Sequence, residues 1–169
     1  MLPDSVPTQA PDLELDLLRE FAACSRLPRA FGEPLGSGEL RRSPEDFRVS
    51  EQLGFSPSGS GEHVLLQIRK TGHNTRWVAK RLAEILNIPY RAVSFAGLKD
   101  RHAVAEQWFG LHLAGRPDPD LSGKLPDGVQ VIALTRHHRK LRQGQVNSNH
   151  FSINVRGCST SDSARLSDR

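Results

Sequence analysis

Cysteine, aromatic residues and long apolar runs are all scarce in this 169-residue chain. Cys24 and Cys158 lie far apart with no C-x-x-C neighbour, which argues against a disulfide framework or a zinc site. Aromatic residues make up only 6%, so aliphatic side chains must fill most of any core. No stretch approaches the roughly 18 consecutive apolar residues of a bilayer span. The N-terminus, MLPDSVPTQAPDLELDLLRE, has acids and prolines where a secretory signal has a basic start and an apolar run, so a cytoplasmic protein without membrane contact is expected. His-Glu-x-x-His does not occur, and His137 and His138 are adjacent instead of four apart, so no metal is expected. Gly36-Ser37-Gly38-Glu39 and Gly59-Ser60-Gly61-Glu62 continue into neither Gly-Lys-Ser/Thr nor a third dinucleotide glycine, and read as turns.

Positive charge is in mild excess: 23 Lys and Arg against 19 Asp and Glu, a formal net charge of +4. Arg69, Lys70, Arg76, Lys80 and Arg81 form one cluster, and Arg136, His137, His138, Arg139, Lys140 and Arg142 a denser one. A solvated face explains either cluster alone; together they point toward a polyanionic partner.

Residues 1–12, rich in proline and without a period, read as a disordered leader. Leu13, Leu17, Leu18 and Phe21 recur at helical spacing and predict a short amphipathic helix over Leu13–Cys24, with Asp12 as N-cap. Phe47 and Val49 alternate with polar neighbours as in a strand, and His63–Lys70 reads as a second, the two forming an antiparallel hairpin. Asn74 or Thr75 can cap a helix whose stripe holds Trp77, Val78, Leu82, Ile85 and Leu86, and Pro89 is expected to stop it. Strands follow at Val93–Ala96, Gln107–Leu113 and Val129–Leu134, and Phe151, Ile153 and Val155 alternate with polar residues. This order, without regular βαβ alternation, predicts an α+β domain with a mostly antiparallel sheet and one long packed helix. The domain is placed at 13–157, and residues 158–169 read as a polar tail.

Phe95-Ala96-Gly97-Leu98-Lys99-Asp100-Arg101-His102-Ala103 puts one carboxylate between two cations where the chain must turn. Nearby positive charge favours the ionised form of such an Asp; a surface ion cluster and a reactive carboxylate are both open from these residues alone. This run, with Arg69-Lys70-Thr71-Gly72-x-Asn74-Thr75 before it and Gln107-Trp108-Phe109 after it, resembles the signature of the tRNA pseudouridine synthase D family. Pro44-Glu45-Asp46-Phe47-x-Val49-x-Glu51, Gly61-Glu62-His63, Thr135-Arg136-His137-x-Arg139-Lys140-Leu141-Arg142 and Asn149-His150-Phe151-x-Ile153 extend the resemblance, in the family's order, over about residues 40 to 157.

The resemblance implies an isomerase that detaches uracil from ribose, rotates it and rejoins it through C5 in place of N1, without cofactor or metal. Its partner is tRNA, and the family's target is uridine 13 in the D arm. Asp100 matches the family's catalytic Asp, the nucleophile. Arg41 matches its basic partner, where Lys is more usual. Asn149 and Phe151 match an Asn and the Phe that stacks on the target base, although alternation alone would also allow Phe151 in a core. Lys99 is counted among the substrate contacts, with Arg139, Lys140 and Arg142 as a phosphate track. His150 stands where the family often has Arg, and Ala105 where it often has Thr. Family members run to roughly twice this length, so the chain is expected to be the N-terminal part of the catalytic module, working as a monomer. The alternative is a non-catalytic RNA-binding fragment that needs a C-terminal half for activity. A hydrolase built on Asp100 lacks a companion His or Ser at motif spacing.

Overall fold

The computed structural model describes residues 36–158. The leader, the helix expected over Leu13–Cys24 and the tail from residue 159 onward lie outside the described residues. The described elements are β1 (Glu39–Leu40), β2 (Phe47–Leu53), β3 (His63–Lys70), helix α1 (Thr75–Ile85), β4 (Val93–Phe95), β5 (Val104–His112), β6 (Val129–His137), β7 (Val146–Ile153) and β8 (Val155–Arg156), with short 3-10 turns at Pro44–Asp46 and Tyr90–Ala92. They make an α+β domain. A six-stranded sheet runs in the order β6-β3-β5-β2-β7, with β4 also on β5, while β1 and β8 pair separately. Every pairing is antiparallel except β2 with β5, which is parallel. No helix among the described residues is long and apolar enough to cross a membrane.

The expected hairpin between β2 and β3 does not form, because β5 lies between them. The cause is in β3 itself. Val64, Leu65 and Leu66 are apolar on both faces and fully buried, which suits a central strand with a partner on each side. β5 and β6 supply those partners. The loop from Gly54 to Glu62 is also too long to impose the register that a two-residue turn would.

Helix α1 covers one face of the sheet. Val78, Ala79, Leu82, Ala83 and Leu86 meet Val64, Leu66 and Ile68 of β3 and Phe109 and Leu111 of β5. Each large aliphatic or aromatic side chain buried there contributes about 1.5–3 kcal/mol. Trp77, expected in this stripe, lies outside it, 38% exposed, with its ring stacked on His73 at 4.1 Å. The helix stops before Pro89. Asn87 adopts a left-handed φ of +49°, its N–H reaches Glu84 O, and Ile88 N–H reaches Ala83 O, a Schellman ending that satisfies the last carbonyls. At the other end Asn74 is the N-cap without a side-chain bond.

On the opposite face Leu65, Ala96 and Leu141 pack together, with Trp108 and Val146 beside them. Gly110 permits this approach, since a Cβ there would lie 2.7 Å from Ser94 Oγ and 3.0 Å from Leu141 Cβ.

Asp46 ties the strand ends together. Its buried carboxylate accepts Ser43 N–H and both 2.9 Å bonds from Arg156 Nε, and its carbonyl accepts Asn154 N–H. The Arg156 bonds are the largest influence holding the carboxyl at about 2. A carboxyl depressed on folding adds stability that is present above its ordinary value near 4 and lost as pH falls through about 2. Asp46→Asn should therefore lower the melting temperature at pH 7 and flatten its dependence between about pH 4 and 2, as read by circular dichroism; an unchanged acid profile would remove Asp46 from that role.

Candidate active site

Parallel pairing of β2 with β5 sets both strand starts at one edge of the sheet. Antiparallel pairing brings the end of β3 and the end of β7 to that same edge. Asp100 stands there, in the turn between β4 and β5. Its Oδ1 accepts His102 N–H at 2.9 Å and its Oδ2 is 2.8 Å from Arg41 Nη1. The His102 N–H is the largest influence lowering the Asp100 carboxyl below its ordinary range, joined by the charges of Arg41, His102 and Lys70 and opposed by desolvation. The group is ionised at neutral pH. The pair is open to solvent, with side chains 44% and 35% exposed.

Arg41 follows β1 with a left-handed φ of +59°, a conformation that costs a non-glycine residue roughly 1–2 kcal/mol. The β1–β8 pairing and the Arg42–Glu39 ion pair at 2.6 Å brace it. Its guanidinium lies 4.0 Å from the centre of the Phe47 ring, and Phe47 meets Phe151 edge-on at 5.9 Å and 64°. Phe151 is in register with Val49, and Asn149 with Glu51, so both lie on the α1 side of the sheet. Phe151 is 52% exposed: an aromatic face linked to Asp100 through Phe47 and Arg41, not a core residue.

Beneath the turn is a polar layer that the sequence reading did not anticipate. Gln107 Nε2 donates to Gly97 O at 2.6 Å. Thr75 Oγ1 accepts Lys99 N–H and donates to Gln107 Oε1. Lys70 Nζ donates to the carbonyls of His73, Lys99 and Asp100 at 2.9, 3.2 and 2.9 Å. Lys99 is turned inward, its ammonium 2.6 Å from Glu51 Oε1 and its side chain only 12% exposed, while Glu51 Oε2 accepts Trp108 N–H. The available signal was register: Glu51, Lys70 and Gln107 occupy inward positions of strands whose other inward residues are apolar.

The basic clusters separate on the structure. Arg69 pairs with Glu106 and Arg81 with Glu84, and Lys70 is buried. In the second cluster Arg136 pairs with Asp118 and His137 is stacked on Phe55. Arg139, Lys140 and Arg142 remain exposed between β6 and β7. They follow His137, which is in register with His63 at the opposite end of β3 from Lys70. The chain then returns along the face opposite α1, where Leu141 packs with Leu65 and Ala96 and Gly144 N–H reaches Ala96 O at 3.0 Å. The three cations are not part of one pocket with Asp100. Among the described residues no three His, Cys, Asp or Glu side chains converge as a metal ion requires.

A family model, tRNA pseudouridine synthase D (TruD), matches residues 31–168. The chain belongs to the tRNA pseudouridine synthase D family. It is 49% identical over 131 residues to the tRNA pseudouridine synthase D of Aeromonas salmonicida, covering 78% of this chain and 37% of that protein. With that of Pectobacterium atrosepticum it shares 52% over 125 residues, 74% of this chain and 36% of the relative. The crystal structure of a putative tRNA pseudouridine synthase D from Methanosarcina mazei superposes with a TM-score of 0.68 at 25% identity, covering 80% of this chain and 31% of that one. The chain thus spans a little over a third of the length of these tRNA pseudouridine synthase D relatives.

The order of influences on Asp100 makes a prediction for a member of this family. Arg41→Ala should raise the Asp100 carboxyl midpoint but leave it below the ordinary carboxylate value, because the larger contribution from His102 N–H remains. Carboxyl carbon NMR titration of both proteins reads this directly; a midpoint restored fully to the ordinary value would mean that Arg41, not the turn, sets the ionisation.

Proposed function

We propose that this chain carries the reactive carboxylate of a tRNA pseudouridine synthase, an isomerase acting on uridine in tRNA, with uridine 13 of the D arm as its target. The observation that carries this reading is the ionised Asp100 held between Arg41 and His102 N–H, with Arg41 also resting on the Phe47 ring that meets the exposed Phe151 edge-on. Pseudouridine formation breaks N1–C1′, turns the base and makes C5–C1′, with C5 losing its hydrogen and N1 gaining one. A carboxylate serves as nucleophile or proton acceptor while the glycosidic bond is open. Phe151 offers a stacking face to an extruded uracil, worth about 1–3 kcal/mol, and Asn149 lies two positions away on the same face for a polar contact. Lys99, held by Glu51, serves this reading through the turn it steadies. The exposed free cysteine Cys158 fits a reducing cytoplasm.

Tritium release from tRNA labelled at C5 of uridine tests the assignment. Release by the 169-residue chain that vanishes in Asp100→Asn, with tRNA still retained, is the expected outcome; equal release from both would overturn the role of Asp100. Retention without release from either would favour the second reading, an RNA-binding segment without catalysis, which the short span relative to its relatives supports.

Arg139, Lys140 and Arg142 are the phosphate track in either reading. Replacing Arg139 and Lys140 together by Ala should weaken tRNA binding and flatten its salt dependence by at most about two log units per log unit of salt. An unchanged slope would return them to a solvated surface.

A further inference from the structure

We propose that Lys70 is a positioning residue for Asp100: its buried ammonium clips the carbonyls of His73, Lys99 and Asp100 together and so fixes the turn that aims the Asp100 carboxylate. The inference rests on Asp100 being the reacting group. Lys70 ends β3 at the inward register of Val64, Leu66 and Ile68, fully buried, between Ala105 of β5 and Val129 of β6. A buried charge is costly unless its hydrogen bonds are met. Here the three donors of one ammonium find three carbonyl acceptors, at 2.9, 3.2 and 2.9 Å. No carboxylate oxygen among the described residues lies within salt-bridge distance of Lys70.

The acceptors come from two segments. His73 precedes α1, whereas Lys99 and Asp100 are the tip of the β4–β5 turn. Gly72 N–H also reaches Arg101 O at 2.9 Å, so the two segments are joined on both sides of Asp100. An apolar side chain at 70 could fill the volume, but it would leave three carbonyls without donors. Lys70 is fully buried and does not reach the surface. Its action runs through the Asp100 backbone, and the same turn then lets His102 N–H hold the carboxylate.

The groups facing the Lys70 ammonium are Asp100 and Lys99 of the turn, with Glu51 of β2 behind Lys99; burial draws Lys70 down to about 8, Lys99 adds to that, and Asp100 and Glu51 oppose it. Above that pH one of the three bonds is lost. Stability moves the other way: an ammonium whose value falls on folding makes the folded state gain relative stability as pH rises from about 8 toward 10.5. A role confined to stability would not weaken the turn over this range.

The test uses the whole 169-residue chain, labelled with ¹⁵N, without tRNA. The Lys70 Nζ signal should titrate near pH 8, and the amides of Lys99 to His102 should follow with the same midpoint while the melting temperature does not fall. Turn amides indifferent to the Lys70 titration would overturn the proposal without need of any variant. Lys70→Met should then raise the Asp100 carboxyl midpoint and cut C5 tritium release at least tenfold with tRNA retention kept; an unmoved midpoint and undiminished release would likewise overturn it. Failure of the native chain to release tritium would count against the isomerase reading alone, because the titration decides the clip in the absence of RNA.

Discussion

Strands β2 and β5 lie side by side and run the same way, and the rest of the site depends on that pairing. Parallel neighbours start at the same edge, so the segment entering β2, which carries Arg41, and the turn entering β5, which carries Asp100, are brought together. An antiparallel hairpin of β2 on β3 would have kept β5 from β2 and separated the two. β3 and β7, antiparallel to their neighbours, end at this edge and deliver Lys70 and Phe151. Four stretches distant in sequence thus meet at one sheet edge, by topology before any side-chain preference acts. The crossover between β2 and β5 contains β3, α1 and β4, which is the length a parallel connection needs.

A second consequence follows where the sheet runs out of apolar residues. β2, β3 and β5 each place a polar group, Glu51, Lys70 and Gln107, at an inward position near this edge, and all three are buried. Such groups are unfavourable in a core unless their hydrogen bonds are complete. The carbonyls of His73, Gly97, Lys99 and Asp100, together with Thr75 and Trp108 N–H, supply hydrogen-bond partners, while Glu51 Oε1 has the Lys99 ammonium as an ion-pair partner. The turn is therefore held by the part of the sheet that is not hydrophobic. Thr75 illustrates the exchange: expected as a possible helix cap, it bonds instead to Gln107 and to Lys99 N–H.

Much of the local structure was legible because it rests on period. Strand β3, helix α1 and the β4 segment follow their apolar spacing closely, and the residues around Asp100 carry a family signature that needs no fold to be read. Strand order was not legible. The alternation in Phe47–Glu51 fits β3 or β5 as a partner equally well, and only the two-sided burial of β3 decides between them. The end of α1 was misread because Pro89 is a conspicuous stop, whereas Asn87 ends the helix through a left-handed backbone that its side chain merely tolerates. Trp77 left the predicted stripe because His73 gave its ring a flat partner at the surface. The second basic cluster looked uniform in sequence, yet burial divides it into paired Arg136 and stacked His137 on one side and exposed Arg139, Lys140 and Arg142 on the other.

Asp100 combines a backbone that is firmly held with a carboxylate that is easily released. The bonds to its turn are shielded, and opening any one of them would strand a buried donor or acceptor, at about 1–3 kcal/mol each. The Arg41 ion pair is a different case: an exposed pair contributes only about 0–1 kcal/mol, so exchanging Arg41 for another partner costs little. Arg41 also rests on the Phe47 ring, so it can leave Asp100 without losing its seat beside Phe151. The proposed role of Asp100 as the reacting group calls for that division, since its direction must be set beforehand while its carboxylate must be free to exchange Arg41 for substrate.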